Sequence, residues 1–223
     1  MVKKPCLTFL VNNGKIFAFT ICLFSKGGCM KRFCILTIAL ASMLVFVGCI
    51  PKLIYNKTVP ELKPLTDKAL CVIIRPMAFA GSVFIPIYCD QKYVGGTEGN
   101  TLLTFSVDPG EHYIIADATN KSKAKFNFVA GKVYFIQHTV VTFSTSFVTI
   151  NTSTFIPQDG ESAMKKIESE KGKITWVQKN PDDKNAENMK DNDFAEVKKD
   201  YEKWAADSKN ADVAKKEADY PGY

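Results

Sequence analysis

The chain is short of the residues from which reactive sites are usually built. It holds two histidines, His112 and His138, in 223 residues. Neither sits in a paired Cys/His spacing, so the sequence predicts no metal site. No Gly-x-Ser-x-Gly, His-Glu-x-x-His or phosphate-loop motif occurs, which removes the usual marks of hydrolases, metalloproteases and nucleotide enzymes. Charge of one sign is also lacking once the N-terminal region is set aside. Residues 1–48 contain six Lys/Arg and no Asp/Glu, so the formal +6 of the whole chain leaves 23 basic against 23 acidic residues beyond them. A balanced surface without a basic, aromatic-interleaved cluster argues against nucleic acid. Cysteine is sparse too: of seven, only Cys49, Cys71 and Cys89 lie beyond residue 48.

What is present is a leader. Met30-Lys-Arg opens a basic start, an apolar stretch runs from Phe33 to Val47, and Gly48-Cys49 closes it. That stretch is shorter than the roughly 20 apolar residues a membrane span needs, and it suits an exported signal peptide. Gly48 is the small residue next to the cleaved bond, and Cys49 is the expected lipidation site. Phe46 stands where such signals usually carry Leu. The competing readings are an uncleaved anchor with an incidental cysteine, or an ordinary secretory signal. Each buried CH₂ of an acyl chain contributes about 0.8 kcal/mol, so two or three chains hold firmly where one does not. Ile50 follows Cys49 in place of the Asp that retains many lipoproteins at the inner membrane, which favours the outer membrane. Residues 1–29 carry a second apolar run, Ile16 to Phe24, and read as a mis-assigned start upstream of Met30.

The remainder divides by composition. Residues 49–67, with Pro51, Pro60 and Pro64, read as a tether. Residues 68–157 read as a β-sandwich. Ala69–Arg75 is an apolar run stopped by Pro76. Val83, Ile85, Ile87 and Cys89 share one strand face, and Pro86, lacking an N–H, predicts a sheet edge or a bulge there. Asp108-Pro-Gly110 is a turn, since Pro109 presets φ and Gly110 accepts φ > 0. Lys125–Val129 alternates with the period of a half-buried strand, and Thr139–Ile150 supplies one or two strands more. Seven or eight short strands without intervening helix predict an antiparallel β-sandwich of the transthyretin or carbohydrate-binding type. If Ala69–Arg75 and Val83–Cys89 pair as a hairpin, Cys71 and Cys89 fall out of register for a disulfide. Two separate thiols are then favoured over a bridge.

Residues 158–175 predict an accessory helix capped by Asp159 or Ser162, with Met164 and Ile167 on one face. Residues 176–223 are a charged linker and amphipathic helix. Phe194, Val197, Tyr201 and Trp204 form a helical stripe, with Asp191 or Asp193 as N-cap. The stripe is a candidate partner helix, or else docks on the sandwich.

The middle of the chain, roughly residues 68–170, resembles the DUF2846 domain of bacterial lipoproteins and exported proteins. The resemblance rests on Ile73-Ile-Arg-Pro76, Gly81, Val83–Asp90, Val107-Asp-Pro-Gly-Glu-His112 and Gly131-Lys-Val-Tyr-Phe135. This chain departs from the pattern with Gln91 where Gly is usual and Phe135 where a second Tyr is usual. The resemblance implies a β-sandwich in the cell envelope and implies no activity or cofactor.

The functional expectation is therefore a lipid-anchored, non-enzymatic binding or interaction module. Its partner would be an envelope protein or polymer. The alternative is a carbohydrate-binding sandwich, for which Tyr88, Tyr93 and Tyr113 are the candidate binding surface. An enzyme ranks third. Glu111 and His112 are adjacent in a strand and point to opposite faces, so they make a poor acid–base pair. Arg75 is expected to pair with Asp90 or Asp108 or to reach solvent.

Overall fold

A computed structural model describes residues 53–76, 83–144, 149–182 and 187–223. Ten strands form two sheets among these residues: β1 (Leu53–Asn56), β2 (Ala69–Arg75), β3 (Ile85–Cys89), β4 (Lys92–Thr97), β5 (Thr101–Val107), β6 (Gly110–Ala116), β7 (Ser122–Phe128), β8 (Val133–Ser144), β9 (Thr149–Pro157) and β10 (Thr175–Lys179). Three helices follow or interrupt them, α1 (Gly160–Ser169), α2 (Asp191–Ala206) and α3 (Ala211–Ala218). One sheet has the order β1-β10-β5-β2-β8-β9 and the other β4-β3-β6-β7. The molecule is mainly β and mostly antiparallel, as expected. Two pairings, β2 with β8 and β10 with β5, are parallel. Both join strands separated by long connections, which is what a parallel neighbour requires.

The apolar run Ala69–Arg75 is central in its sheet and buried on both faces. Ala69, Cys71 and Ile73 face the core between the sheets, with Ile87, Leu103, Ile114, Phe126 and Tyr134. Val72 and Ile74 face outward, where Ala163 and Ile167 of α1 cover them. This burial on both sides explains why the run does not alternate. Met164, expected beside Ile167, is instead exposed. The Asp159 carboxylate caps α1 by accepting from the Ser162 N–H at 2.8 Å.

β2 and β3 do not form a hairpin. They lie in different sheets, and β3 pairs with β4 and β6. Pro86 therefore sits in an internal strand, with a register irregularity at Ile87/Tyr88. Cys71 and Cys89 are both free thiols, on opposing sheets rather than on one ladder. β4 runs through Gly95 and Gly96, which leave room for neighbours: a Cβ on Gly95 would meet Leu103 Cδ1 at 2.6 Å, and one on Gly96 would overlap the Phe84 ring.

The expected tether is only partly a tether. From Leu53 the chain is an edge strand, with Leu53 opposite Lys179 and Asn56 opposite Trp176. β10 in turn lies within the segment expected to be linker. The edge of β9 is closed by the β6–β7 turn. Asn120 brackets Ser153, its Oδ1 accepting from the Ser153 N–H and its Nδ2 donating to the Ser153 carbonyl, each at 3.1 Å. Side chains that satisfy an edge in this way leave no free ladder for another strand at that point.

Candidate functional site

The aromatic residues expected to form a binding surface are not arranged as one. Tyr93 is 0 % exposed and Tyr113 9 %; Tyr113 and the half-buried Tyr88 pack under α2, and Tyr93 meets the Tyr88 ring edge-on at 5.7 Å. For Tyr88 and Tyr113 the cause is the C-terminal stripe. Val197 and Tyr201 are buried against Tyr113 and Ile115, with Phe194 and Trp204 packed around them. Tyr113 meets the Phe194 and Tyr201 rings edge-on at 6.0 and 5.5 Å. Burying Val197 and Tyr201 contributes about 1.5–3 kcal/mol each. The stripe thus docks on the chain's own sheet, with Val197 and Tyr201 buried and Phe194 and Trp204 partly buried. Lys190, not Asp191 or Asp193, occupies the cap position of α2, and Asp191 accepts from Gln91 Nε2 instead.

Two polar clusters lie toward opposite ends of β3, the first inside the sandwich and the second partly exposed at its end. The first centres on Arg75, which is 1 % exposed. Its Nη1 donates to the carbonyls of Val83 and Thr97, each at 2.7 Å. It therefore crosses between the sheets and does not pair with Asp90 or Asp108. Thr97 Oγ1 lies 2.8 Å from His138 Nδ1, and the His138 ring stacks on Phe155 at 5.0 Å. Burial, then the Arg75 charge, lowers His138 to about 3. Burial lowers Arg75 to about 10. His138 is thus a neutral interior group, and this cluster ties the two sheets together.

The second cluster joins residues far apart in sequence. Cys89 closes β3 and pairs across to Ile114 of β6. Asp90 begins the β3–β4 turn with φ 53°, a conformation Asp tolerates better than most residues. That backbone turns its carboxylate onto β6. Asp90 Oδ2 lies 2.7 Å from His112 Nδ1, and Oδ1 accepts from the Tyr113 N–H at 2.9 Å. The Asp90 N–H donates back to the Tyr113 carbonyl at 2.8 Å. Cys89 Sγ, an Asp90 oxygen and a His112 nitrogen all lie within 4.8 Å of one another. His112 Nε2 is buried with no hydrogen-bond partner among the described residues. Burial, followed by the Asp90 charge, pushes the Cys89 thiol up to about 12. At the rim, Lys68 Nζ holds Asp108 Oδ1 at 2.8 Å. Glu111 takes no part; its carboxylate pairs with Lys125 at 3.3 Å.

No family model, characterised protein or solved structure matches the chain. Its functional reading rests on its own residues.

Gly48 and Cys49, the expected cleavage and lipidation residues, lie outside the described residues. Among the described residues no helix is long and apolar enough to cross a membrane. The Cys89–Asp90–His112 cluster is the site that sequence reasoning missed. The 22-residue separation of Asp90 and His112 hides it, because only the β3–β6 register brings them together. A buried carboxyl, Glu217 of α3, accepts from the Tyr201 hydroxyl at 3.0 Å. Burial raises it to about 7.

Proposed function

We propose that the chain is a bacterial lipoprotein of the cell envelope, cleaved before Cys49, acylated there, and acting without catalysis as an interaction module. The observation that carries this reading is how closely the folded body follows the anchor. β1 begins at Leu53, so Ile50, Pro51 and Lys52 alone separate it from Cys49. Four residue steps reach at most about 14 Å. An acylated Cys49 therefore holds the domain close against the headgroups, where a long tether would let it range freely. Tyr55, 52 % exposed, and Ile54 stand on this first strand, and Lys57 follows them. An aromatic ring with a polar tip beside a basic residue is the composition that suits a membrane–water interface.

Ile50 directs the proposal to the outer membrane of a two-membrane bacterium, and the partner is an envelope protein or polymer. Membrane fractionation in the native host tests the anchor. The wild-type chain should partition with membranes through a high-salt wash, and Cys49→Ser should move it to the soluble fraction or leave it with its leader uncleaved. A Cys49→Ser chain processed and retained exactly like wild type in that fractionation would end the proposal.

A further inference from the structure

The geometry points to a site for a zinc-class divalent cation formed by Cys89, Asp90 and His112, independent of how the chain is anchored. Three kinds of donor converge there: a sulfur, a carboxylate oxygen and an imidazole nitrogen, within 4.8 Å of one another. Hard cations such as Ca²⁺ and Mg²⁺ take oxygen shells. A mixed sulfur–nitrogen–oxygen set selects a borderline-soft metal. Three protein ligands with a fourth position left to water is the pattern of an open zinc site. All three residues are only partly buried, so a cation and its water reach them from solvent.

The donors are also fixed in place. Cys89 is locked by the β3–β6 ladder opposite Ile114. The Asp90 carboxylate is held by the Tyr113 N–H at 2.9 Å while its other oxygen faces His112. His112 is on β6, paired with Phe126 of β7. Ligands mounted on strands hold their geometry better than ligands on loops. Binding balances in charge and protons. The Cys89 S–H bond breaks, its proton goes to solvent, and a sulfur–metal bond forms. Thiolate and carboxylate then supply two negative charges to a 2+ ion, and the imidazole binds as a neutral ligand. The cation takes the place of the direct contact between Asp90 Oδ2 and His112 Nδ1, which lie 2.7 Å apart without it. His112 Nε2 then carries the ring proton, which keeps the imidazole neutral.

Cobalt(II) titration of the full chain tests this. Cys6, Cys22, Cys29, Cys34 and Cys49 are first replaced by serine so that no upstream thiol contributes. One equivalent of Co²⁺ should produce a thiolate-to-cobalt charge-transfer band and the intense visible bands of four-coordinate cobalt, and Zn²⁺ should displace both. Cys89→Ser should abolish the charge-transfer band, and His112→Gln should weaken binding at least tenfold. Cys71→Ala should leave both unchanged. A second readout uses the unsubstituted ligands: Zn²⁺ should raise the melting temperature of the parent chain, and a chelator should reverse the rise. The proposal is overturned if the parent chain gives no cobalt spectrum and no zinc-dependent shift. It is equally overturned if the spectrum survives Cys89→Ser.

Discussion

Replacing Glu217 by Gln should change how the stability of the protein depends on pH, and the direction follows from where the carboxyl sits. Glu217 is 3 % exposed, at the junction of α3, α2 and β7. The groups acting on it are the Tyr201 hydroxyl of α2 and the Lys125 backbone of β7; both favour the carboxylate, and burial outweighs them. The result is a rise from 4.5 to about 7. A raised carboxyl binds its proton more tightly in the folded than in the unfolded state. Its effect is therefore nil below the unfolded value of 4.5, and it destabilises progressively as pH rises through about 7. A shift of this size converts to an upper limit of about 3 kcal/mol, and the expected effect is about 1–3 kcal/mol. Glutamine does not titrate, and its carbonyl still accepts from Tyr201. Glu217→Gln should thus match wild type near pH 4.5 and exceed it by about 1–3 kcal/mol at a pH roughly one to two units above the folded value. Urea unfolding followed by tryptophan fluorescence at both pH values measures the difference. A difference that stays constant between them would refute the argument.

Three further outcomes are expected. Arg75→Ala should cost about 2–4 kcal/mol in urea unfolding, because the Val83 and Thr97 carbonyls lose their shared donor inside the sandwich; a loss under about 1 kcal/mol would show that the crossing contributes little. His138, lowered from 6.5 to about 3, should show ring proton resonances that do not titrate between about pH 5 and pH 8. The neutral ring's contribution to stability is full above 6.5 and is lost as pH falls toward about 3, so a midpoint near 6.5 would contradict its interior placement. Val197→Asp should destabilise the isolated chain by about 2–4 kcal/mol, since it buries an unpaired charge between α2 and β6; unchanged stability would mean that the stripe serves a partner instead.

Much of the fold was legible because its strands obey local rules. The Asp108-Pro-Gly110 turn carries its own chemistry, and Gly110 does take φ 125°. The two-faced apolar run of β2 and the alternation of β7 read directly as strands. Short elements were hidden by their neighbours. β1 is four residues among prolines and β10 five beside a charged linker, and pairing with each other and with β5 gives them their structure. The hairpin reading of β2 and β3 failed because sequence adjacency does not say when the chain changes sheets. That error also concealed the candidate site, which depends on β3 lying beside β6. The tyrosines illustrate the same limit. Tyr113 and the Phe194–Trp204 stripe were each visible as apolar faces, but nothing local shows that one covers the other.

The anchor at Cys49 is the central claim, and the intact mass of the protein taken from membranes of its native host, with N-terminal peptide mapping, tests it most directly. The account predicts a chain that begins at Cys49 and carries two or three acyl chains. A chain that begins at an unmodified residue, or that retains Met1, would contradict it.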